Sequence, residues 1–138
     1  MATLTSNKAS AGVQPHGIRV GLVATTAVYS SGASMSSTDV IQMVKVPQNS
    51  QVHFVAVHCN MTGQGSFIVG DGVSTSRYIA ASLMSVSAGS FLFPSTANQG
   101  YTPYTYSTDD TIDITISTST NPSAGGAFYM TAIVNLDP

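Results

Sequence analysis

The most chemically suggestive residues of this 138-residue chain are three aspartates that lie close together in the sequence. Asp109, Asp110 and Asp113 could serve as the paired carboxylates of a glycosidase or as oxygen ligands of calcium. However, isoleucine takes every even position of residues 111–117 (TIDITIS). Such alternation predicts a strand with Asp113 and Thr115 facing solvent, and Asp109 and Asp110 suit the turn before it. A turn and a solvated strand face are therefore the favoured interpretation.

The histidines and the cysteine do not form a recognisable metal site. His53 and His58 are five residues apart on a predicted strand, which would place them on opposite faces, roughly 17 Å apart at about 3.3 Å per residue. His16 lies in the polar N-terminal segment. No zinc-ligand spacing is present, so we predict structural or interface roles for all three. Cys59 is the single cysteine, which excludes an internal disulfide and favours a small core or interface residue over a nucleophile.

Two glycine-rich segments resemble the beginning of a phosphate-binding loop. Gly63-Gln64-Gly65 and Gly70-Asp71-Gly72 both lack the third glycine of the dinucleotide fingerprint, and neither clearly opens a helix. We interpret the second segment as a tight corner in which glycine supplies positive φ. No serine stands in a G-x-S-x-G nucleophile elbow. The sequence therefore predicts no catalytic, cofactor-binding or metal-binding residue, and no enzyme.

The composition favours an all-β fold and excludes several classes of partner. Charged residues make up 7% of the chain, whereas Ser and Thr supply most of the polar surface. Val, Ile, Thr, Tyr and Phe fit a pleated, half-buried surface. A net charge of −2 without a basic run predicts no nucleic acid and no membrane as partner. Small uncharged polar groups cost little to desolvate, so such a surface suits permanent contact with another protein.

The pattern of elements predicts one domain that follows an arm. Residues 1–16 are polar and predict a flexible N-terminal arm that orders against a neighbour, whereas residues 17–138 predict an antiparallel, jelly-roll-like β-sandwich. The clearest strands span residues 52–58, 111–117 and 128–136, and we expect the first to be buried on both faces. The expected core residues of the other two are Ile112, Ile114, Ile116, Met130, Ala132 and Val134.

The N-terminal residues contain no apolar run of the kind that a signal peptide needs. No stretch of the sequence approaches the length of a membrane span. We therefore expect the protein to be made and used without secretion.

Three segments resemble a family of small virion proteins encoded among the head genes of tailed bacteriophages. Residues 39–47 (DVIQMVKVP) are similar to the entry strand of that family, DxIxxxKxP, and Gly70-Asp71-Gly72 with residues 77–81 (RYIAA) to its segment GDGxxxxRYIAA. Residues 104–106 (YTY), 110–114 (DTIDI) and 124–126 (AGG) resemble the C-terminal half. The likeness covers about residues 39–136.

This resemblance implies a β-sandwich capsid decoration protein, also called a cement protein, with neither enzymatic activity nor cofactor. It implies a homotrimer that binds the major capsid protein of the same phage. The implied location is the surface of the phage head, with assembly in the host cytoplasm.

A second interpretation stays open from the sequence: a head-fibre or tail-associated virion module that binds a receptor or a carbohydrate. Phe93, Tyr101, Tyr104 and Tyr106 could form an aromatic platform for a sugar. Tryptophan, the best residue for stacking on sugars, is absent. The same tyrosines are equally consistent with the edge of the core or with a contact between subunits.

Overall fold

The structure is a computed structural model, and it describes residues 1–6, 21–32, 34–60, 64–83, 90–92, 103–120 and 125–136. These residues form ten β-strands. The strands are β1 (Thr3–Thr5), β2 (Leu22–Ser30), β3 (Val40–Val46), β4 (Gln51–Cys59), β5 (Gln64–Gly70), β6 (Ile79–Leu83), β7 (Ser90–Leu92), β8 (Tyr104–Thr105), β9 (Asp110–Thr120) and β10 (Ala127–Asn135). Across the same residues, no helix is long and apolar enough to cross a membrane.

The strands form two sheets that pack face to face. Sheet A has the order β1-β3-β9-β5-β6, and sheet B has the order β2-β10-β4-β7, with β8 also paired to β4. Every pairing is antiparallel except that of β1 with β3. The all-β sandwich that the sequence predicts is therefore confirmed.

The core lies between the inner faces of the two sheets. The six residues that the alternation of β9 and β10 assigns to the core are all fully buried. Phe67 of sheet A meets Phe128 of sheet B edge to face, with ring centroids 5.3 Å apart and an angle of 74° between the rings. Aromatic pairs favour this geometry, which brings a positive ring edge to a negative ring face. The predicted register of the two C-terminal strands is confirmed.

β4 differs from the expected strand with two buried faces. Val52, Val55 and Val57 are buried, whereas His53 is exposed and Phe54 is half-buried. The pairing of β4 with β10 shifts register at His53, so one extra residue is inserted into β4. A bulge of this kind interrupts the strict alternation of faces. The prediction was wrong because an apolar run alone does not show what covers the second face.

The division into an arm and a sandwich domain stays a prediction, since residues 7–20 lie outside the described residues. At the N-terminus, β1 pairs with β3 of the same chain. The Asp39 carboxylate accepts hydrogen bonds from the backbone N–H groups of Ser36 (2.8 Å) and Ala2 (3.0 Å). These two bonds lower the pKa of Asp39, because they stabilise its charged form. The first residues of the chain are thus attached to the edge of sheet A.

The corner after β5 is tight, but its glycines do not supply positive φ. Among the described glycines, positive φ occurs at Gly21 (118°) and Gly125 (107°), not at Gly70 or Gly72. A Cβ atom at Gly70 would lie 2.0 Å from the carbonyl oxygen of Ser74. The expectation of positive φ was wrong. Gly70 is needed because the backbone of the loop passes too close for any side chain.

Replacement of Gly70 by Ala is expected to lower the free energy of unfolding by about 1–3 kcal/mol, because the Ser74 backbone must move. Gly72→Ala is the matched control. Its Cβ would lie 3.3 Å from Oδ1 of Asp110, a side-chain atom that can shift. We expect that control to change stability by less than about 0.5 kcal/mol. Denaturant titration measures both variants, and equal stabilities would contradict the close-approach explanation.

Candidate functional site

The most extensively bonded polar side chain described is Asp71, in the loop that joins β5 to β6. Its side chain is only 1% exposed. Oδ1 accepts hydrogen bonds from the backbone N–H groups of Val73 (3.0 Å) and Ser74 (2.7 Å). The N–H of Asp71 in turn donates to the carbonyl oxygen of Ser74 at 3.0 Å. These bonds fold the loop around its own carboxylate.

Arg77 supplies the positive charge that a buried carboxylate requires. Its Nε donates to Oδ2 of Asp71. Its guanidinium lies over the ring of Tyr104, 3.6 Å from the ring centroid, which is a cation–π contact. Burial by itself disfavours the charged guanidinium, but the Asp71 contact outweighs it and raises the pKa of Arg77. The contacts with Asp71 and with the Tyr104 ring therefore hold the Arg77 side chain in one orientation.

Two buried tyrosines complete the arrangement. Tyr106 donates its O–H to Oδ2 of Asp71 at 3.2 Å, and the phenol oxygens of Tyr106 and Tyr78 are 2.7 Å apart. A phenol has one proton, and that of Tyr106 is directed to the carboxylate, so Tyr78 donates to Tyr106. Burial raises the pKa of both phenols, which keeps both donors protonated. We call Asp71, Arg77, Tyr78, Tyr104 and Tyr106 the Asp71 cluster.

The Asp71 cluster joins the two sheets. Asp71, Arg77 and Tyr78 lie in the connection between β5 and β6 of sheet A, whereas Tyr104 is in β8, which pairs with β4 of sheet B, and Tyr106 follows it. The backbone N–H of Tyr106 donates to the Ser50 carbonyl oxygen at 3.0 Å, in the turn that precedes β4. Both oxygens of the Asp71 carboxylate are bonded within the chain. The arrangement therefore orients a loop and a turn, and it presents no free acid, base or nucleophile.

The loop held by this cluster carries an exposed apolar residue at its apex. Val73 is 84% exposed, and Gly72 and Thr75 beside it are also exposed. None of these three residues is charged. The Asp71 cluster therefore orders an exposed loop, and the Asp110 carboxylate lies beside Gly72 of that loop.

Tyr104 and Tyr106 do not form the sugar platform that their spacing allows. Their rings meet edge to face, with centroids 5.0 Å apart and an angle of 84° between the planes. Tyr106 is 3% exposed, and Arg77 covers one face of Tyr104. Stacking on a sugar requires an accessible ring face. The other two residues of the hypothesis, Phe93 and Tyr101, lie outside the described residues.

Asp109 and Asp110 lie where β9 begins, as the sequence predicts. Oδ1 of Asp109 accepts a hydrogen bond from the Gln48 N–H at 2.7 Å, and Oδ1 of Asp110 accepts one from the Thr111 N–H at 2.8 Å. Both line an open cleft together with Lys45. Across the described residues, no three His, Cys, Asp or Glu side chains lie close enough to hold a metal ion.

The histidines and Cys59 lie on or beside β4. Cys59 is 1% exposed and belongs to the core, as predicted. His53 is exposed at the bulge, and His58 is half-buried with its ring 5.5 Å from that of Tyr129. His53 is itself the inserted residue of the bulge, so the expected alternation does not apply to it and the two histidines need not lie on opposite faces. His16 lies outside the described residues.

Asp113 corrects the expectation of a solvated strand face. It lies on the outer side of sheet A, between Gln42 of β3 and Gly70 of β5, yet it is only 8% exposed. Its Oδ1 is buried and has no hydrogen-bond partner among the described residues. Burial raises the pKa of Asp113 to about 7, and the Asp110 and Asp71 carboxylates act in the same direction. Alternation correctly predicts the direction of this side chain, but not its coverage by neighbouring strands.

Asp113→Asn should change the pH dependence of stability. The folded pKa of about 7 lies above the ordinary value of 3.8, so the folded state binds the proton more tightly. The wild-type free energy of unfolding should therefore fall as pH rises from about 4 to about 7 and then level off. Asn removes this decline and should stabilise the protein at pH 8 but not at pH 4. Thermal unfolding at both values, with Asp109→Asn as control, tests this, and parallel curves for wild type and Asp113→Asn would contradict it.

Comparison with known proteins finds similarity in structure but not in sequence. Neither a protein-family model nor a curated protein matches this chain. A chain from the capsid of Ralstonia phage GP4 superposes with a TM-score of 0.75 at 13% identity, over 99% of both chains.

Two further capsid structures contain similar chains. A chain of the cyanophage Pam1 capsid asymmetric unit has a TM-score of 0.67 at 13% identity, over 91% of both chains. A chain of the acid-stable capsid of Helicobacter pylori bacteriophage KHP30 has a TM-score of 0.51 at 11% identity, over 86% of this chain and 95% of its own length. At these identities the similarity establishes the fold: this chain is a β-sandwich of the kind found in these three phage capsids.

Proposed function

We propose that this protein is a structural component of a phage virion, specifically a decoration or cement protein. In this role it binds the assembled lattice of the major capsid protein on the head surface and stabilises the shell. The observation that carries the proposal is the match to a phage capsid chain over 99% of both chains. A match of that extent concerns the whole sandwich rather than a fragment common to many β proteins.

The outer face of sheet B supports a role in protein contact. The described residues that β2, β4 and β10 turn outward include no Lys, Arg, Asp or Glu. Leu22 is 61% exposed and Tyr129 is 37% exposed on this face. Protein interfaces are depleted in charge and enriched in aromatic residues at their centre. Sheet A differs, since Lys45, Asp110 and Asp113 belong to its strands or their ends.

The chemistry of the interior supports a structural role over an enzymatic one. The polar groups of the Asp71 cluster bond to one another and hold two sheets together. Such an arrangement increases rigidity and leaves no group poised for proton transfer or nucleophilic attack. The protein in this proposal is therefore not an enzyme and needs no cofactor.

Assembly as a homotrimer would make weak individual contacts sufficient. A trimer that touches several capsid subunits gains avidity, because the second and third contacts form at high effective concentration. Since the protein binds the assembled lattice and not free subunits, its binding stabilises the assembled state by linkage. In this proposal assembly takes place in the host cytoplasm, and the finished protein resides on the outside of the head.

Particles that lack the protein should take it up and become more resistant to heat. The purified protein is added to such particles, and the temperature of genome release is compared with and without it. Particles that already carry a full complement are the control and should not change. Failure of uptake, or attachment only to the tail, would contradict the cement proposal. Binding of the isolated protein to a glycan array would favour the alternative of a receptor-binding or carbohydrate-binding virion module.

A further inference from the structure

We propose that a cleft on the outer face of sheet A, beside the first residues of β9, receives an arginine or lysine side chain of the capsid protein. The inference rests on the proposed function for the identity of this partner. Its own basis is a buried carboxylate oxygen without a donor, at the inner end of a cleft with an excess of negative charge.

The cleft lies between the paired strands β3 and β9 and has a volume of about 330 Å³. Oδ1 of Asp109 and Oδ1 of Asp110 each accept one backbone hydrogen bond, whereas the second oxygen of each carboxylate has no partner among the described residues. Both acceptors are therefore available to a donor that enters from outside. The residues that line the cleft are Gln42, Lys45, Val46, Asp109, Asp110 and Thr111.

Asp113 lies at the inner end of this cleft. It is directly opposite Gln42 in the pairing of β3 with β9, and the Thr111 hydroxyl donates to its carboxylate. The residue is only 8% exposed, and its Oδ1 has no hydrogen-bond partner among the described residues. A buried acceptor without a donor is unfavourable. A donor from a partner molecule would satisfy it once the flexible Gln42 side chain moves aside.

The charges around the cleft favour a cationic partner. Its lining contributes two carboxylates and the ammonium group of Lys45, which is in no salt bridge within the described structure. Asp113 adds a third carboxylate when it is ionised. The nearby Asp71 carboxylate is already paired with Arg77. Negative charge is therefore in excess, and a basic group is complementary to it.

The size and the ligand set favour a basic side chain over a metal ion. One water molecule takes about 30 Å³ in the liquid, so the cleft has room for about ten and is far larger than one bare ion. In the part of the chain that the structure describes, no three His, Cys, Asp or Glu side chains lie close enough to hold a metal ion. Guanidinium and ammonium groups donate several hydrogen bonds at once, which matches the separate acceptors of this cleft.

A titration of the isolated protein tests whether a guanidinium group binds at this place. Acetyl-arginine amide is added to the isotope-labelled full chain at millimolar concentration, and the carboxyl resonances of Asp110 and Asp113 are followed by NMR. We expect both to shift. Acetyl-citrulline amide has a similar shape without the charge and should leave them unchanged. Shifts caused by CaCl₂ and not by the arginine probe would overturn the proposal.

Uptake by particles that lack the protein tests the partner. Gln42→Lys places a cation within the cleft and should lower the apparent affinity at least about ten-fold, because like charges then meet. Asp113→Asn should lower it at least about three-fold. Ser117→Lys is the matched control, since it adds the same charge at an exposed position of the same sheet face. It lies roughly 13 Å from Asp113 at about 3.3 Å per residue, beyond the screening length of about 8 Å, and should bind as wild type.

The same uptake should depend on pH through Asp113. Burial raises the pKa of this carboxyl to about 7, and the Asp110 and Asp71 charges act in the same direction. Of the elements packed around it, β3 contributes the cation Lys45, the β5–β6 loop contributes Arg77, and β5 has no charged residue. Because a cation binds the ionised form, uptake should tighten at least about three-fold from pH 6 to pH 8. Asp113→Asn should lack this change.

The outcomes separate this inference from the wider proposal. If Gln42→Lys and Asp113→Asn are taken up as well as wild type, or if the arginine probe shifts neither resonance, the inference is wrong and the cement function stands. Equal loss of uptake in Ser117→Lys would indicate a general effect of charge and would also overturn it. A changed native mass of Gln42→Lys would make the cleft a contact between copies, against the proposal. If wild type itself is not taken up, both proposals fail.

Discussion

Burial of the Asp71 carboxylate is the constraint on which the arrangement of this molecule depends. The Asp71 side chain is only 1% exposed, so its negative charge requires a positive partner and hydrogen-bond donors. Arg77 supplies the positive charge, and Tyr106 and two backbone N–H groups of the same loop donate hydrogen bonds. Removal of one member of such a buried pair typically destabilises a protein by about 3–5 kcal/mol. Because the donors come from both sheets, the same requirement sets the position of β8 against the β5–β6 corner. It also explains why Gly70 has no room for a side chain.

The few acidic residues of this chain have structural positions wherever the structure describes them. Asp39 bonds to the N-terminal residue Ala2, and Asp71 organises the cluster. Asp109 bonds to the turn at Gln48, and Asp110 bonds to the first residues of β9. Asp113 is buried on the outer side of sheet A. A chain that uses its carboxylates in this way leaves broad uncharged surfaces, of which the outer face of sheet B is the clearest. Depletion of charge is typical of the centre of protein interfaces, and the proposed function requires such a contact.

Those features that depend on local periodicity could be predicted from the sequence. The alternation of Ile112, Ile114 and Ile116 defines both the strand and its buried face, because successive side chains of a strand point to opposite sides. The burial of Asp113 and the open outer face of β4 could not be predicted, since each depends on what lies across the strand. The roles of Asp71 and Arg77 were also missed. The available signal was their six-residue separation in the segment that resembles GDGxxxxRYIAA, but the partner Tyr106 is 35 residues from Asp71.

The central claim is that this sandwich is a component of the outer surface of a phage head. Electron cryomicroscopy of the particle with which the protein co-purifies tests it most directly. The proposal predicts density for this fold in threefold groups on the outside of the shell. A head that lacks this density, with the protein found only in the tail or not in the particle at all, would contradict the claim.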